Sequence, residues 1–270
     1  MRDQHNQTAV ANGAGTTAEF DAGAHRAISD SSRIRRRRRT DWRMGGQEVS
    51  KWDLRVLLCA LLGAGAGILA SVVLAHSSAA GVAALSLPAL WIGLLVPVAY
   101  AVLRGRPASL FRLRLLDVLW GVGLGVGLRL LQGSLSDANA ASFPTATSLS
   151  LDLATSSLTA ITLAAALIGP FVEEIFFRSV LIVVIFQMLR RSLGAFTAGA
   201  TALLVSAGAF VCLHGAYAPL SLSSGLQLFL VGGVCSLLVL LTGRAWSAVI
   251  LHVVYNAVYL VLVGVGTAGA

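Results

Sequence analysis

Charge is scarce in this chain. Only 12% of its 270 residues are Asp, Glu, Lys or Arg, against 56% hydrophobic residues and a mean hydropathy of +0.80. That balance excludes a soluble globular domain. Uninterrupted apolar stretches of roughly 18 to 22 residues, each long enough to cross a hydrocarbon layer of about 30 Å, recur from Leu54 to the C-terminus. One buried core could not hide them all. Cysteine is also rare: Cys59, Cys212 and Cys235 lie in apolar segments without CxxC spacing. This excludes a disulfide framework and a thiolate metal site, and all three read as small core residues. No HExxH pattern and no base-reading module is present. The net charge of +8 sits in arginines at segment ends and in the N-terminal region, a distribution suited to anionic lipid and not to nucleic acid. Lys and Arg are absent from the connections 76–83, 133–150 and 214–224.

What is there divides into three regions. Residues 1–50 are polar, rich in Gly, Ala, Ser and Thr and without apolar periodicity, and are expected to form a disordered basic cytoplasmic arm. Within it Arg33, Arg35, Arg36, Arg37, Arg38, Arg39 and Arg43 precede the first apolar span, which the positive-inside rule places with its start in the cytoplasm. Anionic lipid is the partner expected at this arm. Residues 51–150 carry the N-terminal transmembrane helices, with spans near 54–75, 84–103 and 115–132. Residues 151–266 carry a long apolar region from 151 to 189, then spans near 195–213, 225–242 and 246–266. The expected fold is all-α: a polytopic, multi-pass cell-membrane bundle of about 7 to 8 transmembrane helices around a polar intramembrane cavity. Arginines alternate with basic-free connections only if 151–189 crosses once, which favours seven. A helix of that length exceeds the bilayer, so a bend is expected near Gly169-Pro170.

Ionisable residues inside membrane segments cost on the order of 3 kcal/mol each, and are usually interior-facing, paired and functional. Three constellations qualify. In Glu173-Glu174-Ile175-Phe176-Phe177-Arg178 the spacing puts Glu174 and Arg178 on one helix face as an ion pair, and turns Glu173 about 100° away toward a cavity. A carboxylate in apolar surroundings has a raised proton affinity, so Glu173 is the candidate general base. Phe210-Val211-Cys212-Leu213-His214 aligns an aromatic ring and an imidazole four residues apart. His252-Val253-Val254-Tyr255-Asn256 aligns two polar side chains that need partners inside the protein. A Glu and two His are also a zinc-hydrolase side-chain set, so a zinc ion held by Glu173, His214 and His252 stays open beside a metal-free mechanism. Straight spans put His214 and His252 at different depths, and a shared site then requires a bend or a shifted boundary. Gly121, Gly123, Gly125 and Gly127 alternate on one span and read as close helix packing.

EExxxR, FxxxH and HxxxN, in that order on successive membrane helices, resemble the CPBP family of CAAX prenyl proteases and bacteriocin-processing, Abi-like enzymes. The resemblance covers 151–266. It implies an intramembrane endopeptidase, either a metalloprotease or a glutamate-dependent protease. The scissile bond would belong to a membrane-associated peptide or protein, prenylated or carrying a leader. In that reading Glu173 and His214 activate water, Glu174 and Arg178 support the site beside Phe210, and His252 with Asn256 stabilises the transition state. Two alternatives of other classes are a non-catalytic binding or immunity protein of the same fold, and a proton-coupled transporter.

Overall fold

A computed structural model of the chain describes residues 41–79, 81–136, 138–146 and 156–269. The basic run from Arg33 to Arg39 lies outside the described residues. Among the described residues the protein is all-helical, with six segments long and apolar enough to cross a membrane. The main helices are α1 (Leu54–Ala75), α2 (Ser86–Arg104), α3 (Leu115–Leu135), α4 (Ser156–Phe176), α5 (Ile182–Gly215), α6 (Leu222–Thr242) and α7 (Trp246–Ala268). Short side chains start several of them. Asp53 accepts from the Arg55 N–H at 3.0 Å to cap α1, and Ser221 Oγ accepts from the Ser224 N–H at 3.1 Å to cap α6. Gly243, at φ 72°, closes α6 in the left-handed conformation and returns its N–H to Val239 O at 2.8 Å.

The longest apolar segment, Ala165–Gly215, has 51 residues and doubles back on itself. Gly194 supplies the reversal at φ 78° and ψ 166°, a conformation that side-chain-bearing residues rarely adopt. Ser206 Oγ donates to Phe177 O at 3.4 Å, and the Phe177 and Phe210 rings meet edge to face at 5.7 Å. In a straight helix Phe177 and Ser206 would stand on the order of 40 Å apart. The segment is therefore a helical hairpin.

At Gly169-Pro170, where a bend is expected, the helix is not interrupted: α4 continues through Pro170 to Phe176. Proline cannot donate to the carbonyl four residues back, here Ala166, and a helix usually kinks where that bond is missing. The amide of Asn256 on α7 donates to Ala166 O at 3.3 Å instead. The distortion lies further on, where Phe177–Leu181 wind as one π-helical turn, every residue of it buried.

At the arginine-rich end, the turn before α1 is packed into the bundle. Trp42 is 1% exposed, donates from Nε1 to Gly243 O at 3.0 Å and meets the Phe186 ring edge on at 5.4 Å. Buried Asp117 on α3 receives Arg244 Nε at 2.7 Å, tying the start of α3 to the α6–α7 turn. The alternating glycines of α3 separate by face. A Cβ on Gly121 or Gly125 would collide with α7 at 2.7 Å, while Gly123 and Gly127 have nothing within 4 Å. Of the three cysteines only Cys235 is buried; Cys59 is intermediate and Cys212 exposed, because position 212 turns away from the face that carries Phe210 and Leu213.

Candidate active site

The π turn begins two residues after Ile175 and puts a fully buried arginine in the middle of the bundle. Arg178 Nε lies 3.0 Å from Glu174 Oε2, with both side chains at 0% exposure, so the ion pair expected from the i, i+4 spacing is present. Its N–H is not aimed along that line, and the contact is a charge pair without a formal hydrogen bond. Arg178 Nη2 donates to Gly232 O on α6 at 3.2 Å, and the guanidinium lies over the Phe210 ring at 4.9 Å. Gly232 leaves the room: a Cβ there would stand 3.2 Å from Arg178 Nη2. π turns of this kind often mark functional sites, since the extra residue re-aims the side chains that follow.

Glu174 also has a second partner. His252 Nδ1 lies 3.0 Å from Glu174 Oε1, so one buried carboxylate serves Arg178 with one oxygen and His252 with the other. A carboxylate only accepts, hence His252 donates from Nδ1, which leaves Nε2 as its second hydrogen-bonding atom. His214 is arranged the same way, its Nδ1 donating to Phe210 O at 2.9 Å. Both imidazoles are thus anchored through Nδ1 and present Nε2.

Phe210 joins the two. Its ring centroid is 4.5 Å from His214 and 5.4 Å from His252. The Phe210 ring therefore touches both imidazoles, although straight spans put them at different depths.

Glu173 occupies the neighbouring helix face and is half-buried, with Oε1 3.8 Å from the position a Cβ would take on Gly169. The Tyr217 phenol, in the turn after α5, is pushed up by burial and further by the negative charge of Glu173, while a hydrogen bond with Ser71 opposes this. Among the described residues no group of three or more His, Cys, Asp or Glu side chains is placed to hold a metal ion. Glu173, His214 and His252 form no such group; a His252 Nδ1 held by a carboxylate is compatible with Nε2 acting either as a ligand or as a hydrogen-bonding group.

Sequence reasoning brought Glu174 together with Arg178 but did not find the His252–Glu174 contact. A buried carboxylate has two oxygens, and one arginine at i+4 left the other unassigned. Likewise the residue four before Pro170 marked a carbonyl in need of a donor, which the structure supplies through Asn256.

Residues 155–258 match the family described as type II CAAX prenyl endopeptidase, Rce1-like. No curated protein and no solved structure matches the chain. The matched segment runs from α4 into α7 and contains Glu173, Glu174, Arg178, Phe210, His214, His252 and Asn256.

Proposed function

Through residues 155–258 this multi-pass membrane protein belongs to the CPBP family of CAAX proteases, and from that premise we propose that it is a glutamate-dependent intramembrane endopeptidase acting on a membrane-associated peptide. The observation that carries the reading is the double engagement of Glu174 by Arg178 and His252. It commits that carboxylate to structure and leaves Glu173, half-buried on the next face, to work as the base.

In the proposed reaction Glu173 takes a proton from water while His214 Nε2 accepts the water's other hydrogen and aims its oxygen at the scissile carbonyl carbon. The carbonyl π electrons move to oxygen. That oxyanion takes a hydrogen bond from His252, whose Nδ1 is held by Glu174 and whose Nε2 must carry a hydrogen for this role. Asn256 holds the turn of α4 that ends three residues before Glu173, and its amide has a second N–H to offer the same oxygen. Collapse of the intermediate breaks the C–N bond, and the proton on Glu173 passes to the departing amine. A prenylated or leader-bearing substrate would approach from the bilayer to a water-accessible cavity. The Gly194 hairpin supports a count of seven crossings; with that count the arginines gather at one face, and the positive-inside rule reads that face, with the N-terminus, as cytoplasmic.

Purified protein and its Glu173→Ala variant, each offered a quenched fluorescent membrane-peptide library in detergent, test this. The variant is expected to fold normally and to lose about 10²- to 10⁴-fold in cleavage rate, the usual weight of a general base. Wild-type cleavage is expected to survive a strong chelator. Unchanged cleavage by the variant would remove Glu173 from the mechanism. A variant that keeps the cellular phenotype while cleavage is lost would favour the binding-protein reading.

A further inference from the structure

Three connections meet at the arginine-rich face: the turn at Asp41–Arg43, the α2–α3 loop and the α6–α7 turn. Together they enclose a cleft of about 180 Å³ whose walls include Arg43, Arg112, Arg114 and Arg244, with Asp41 as the acidic member. Two of the arginines are fixed in place. Arg43 pairs with Asp41 at 2.8 Å and donates to the terminal α6 carbonyls Leu240 and Leu241, while Arg244 donates from Nε to Asp117 and from Nη1 to Thr242 O at 3.2 Å. Arg112 and Arg114 are exposed arms on the loop. Four guanidiniums thus share two carboxylates, leaving an excess of two positive charges about a concave, polar space.

What surrounds the cleft identifies its ligand. Immediately past Arg114, α3 turns out Leu115 at 75% exposure, Leu119 at 60% and Trp120 at 54%, a surface that hydrocarbon must cover in a membrane protein. The cleft therefore opens at the level where the hydrocarbon ends and headgroups begin, and a tryptophan at that level is the usual interfacial anchor. Guanidinium forks suit phosphate oxygens better than any other anion available there. We infer that this cleft is a binding site for the phosphate of an anionic phospholipid, with Arg112 and Arg114 closing on the headgroup and the acyl chains lying along Leu115 and Leu119. The bound lipid clamps the turn before α1 to the ends of α6 and α7, and so steadies the helices that carry the candidate site. This inference is independent of the reaction proposed above.

The test is thermal unfolding and native mass spectrometry of the full chain in phosphatidylcholine nanodiscs with and without phosphatidylglycerol. Wild type is expected to retain phosphatidylglycerol and to unfold at a higher temperature with it. Arg112→Gln/Arg114→Gln should weaken that retention about thirtyfold, from roughly 1 kcal/mol lost with each direct guanidinium–phosphate hydrogen bond. Arg112→Lys/Arg114→Lys should restore part of it, which also shows that the loop still folds. Arg106→Gln/Arg191→Gln, which removes two exposed arginines outside the cleft, should change nothing. Equal loss in both glutamine variants would reduce the effect to diffuse surface charge and overturn the site. Competition and stabilisation by inorganic phosphate alone would overturn the lipid assignment.

Discussion

The α1–α2 hairpin and the α4–α7 half of the molecule solve the same problem by opposite means. In lipid, apolar faces gain little by leaving hydrocarbon for each other, so helices associate through close packing or through polar contacts. The first pair uses closeness. A Cβ on Gly93 would stand 2.5 Å from the Gly67 Cα, and one on Gly67 would stand 2.9 Å from the Gly93 Cα, so the two backbones touch where no side chain fits. Serine 71 is the only buried polar side chain along that pair. The second half uses polarity: Glu174, Arg178 and His252 are buried in mutual contact, and Ser179, Ser206, Ser236 and Ser247 are buried on helices or turns of the same half. Packing by glycine is enough to hold helices, whereas a buried charge cluster costs desolvation and is retained where its chemistry is used.

The comparison breaks hardest at the charge cluster. Arg178→Met strands the Glu174 carboxylate among apolar neighbours and is expected to cost about 3–5 kcal/mol, seen as a collapse of folded yield and thermal stability in detergent. The double variant Glu174→Gln/Arg178→Met should recover a large part of that loss, because neither member then carries an unpaired charge, yet it should remain inactive. Recovery no better than the single variant would mean that Arg178 acts through its contacts with Gly232 O and Phe210 instead of through the pair.

How much of this was legible beforehand follows the same division. Apolar run length located α1, α2, α3, α6 and α7 to within a few residues, since a crossing has a required length and few residue types can meet it, whereas the region 151–189 merged α4, the π turn and the first part of α5. The three polar motifs marked the candidate site, because every ionisable group in such a run is conspicuous. What could not be read were contacts fixed by the relative rotation of helices far apart in sequence. His252 on Glu174 and Asn256 on the carbonyl freed by Pro170 are contacts of this kind. The π turn at Phe177–Leu181 left no local signal either, as its residues are ordinary helix formers and tertiary packing decides its winding. That packing also kept α4 helical through a proline that sequence alone reads as a bend.

A middle-sized effect belongs to the glycine hairpin. Gly93→Val forces α1 and α2 apart and is expected to cost about 1–3 kcal/mol, the range for overpacking a tight contact. Activity per folded molecule should stay close to wild type, because the site lies on other helices. A loss of activity in proportion to the loss of stability would show instead that the two halves respond as one unit.

Helix α3 allows the finest cut, because both kinds of glycine occur on it two residues apart. Gly121→Ala drives a methyl to about 2.7 Å from Ile250 and 3.0 Å from Ser247 O, so α7 must shift near the turn preceding His252. Gly123→Ala meets open space, and the better helix propensity of alanine should add up to about 1 kcal/mol of stability. Measured by thermal unfolding in one detergent, the two changes are expected to have opposite signs: destabilisation at 121 and a small gain at 123. Equal effects would mean that the α3–α7 contact gives way to the added methyl. Close backbone approach would then be incidental to this helix and confined to the first hairpin.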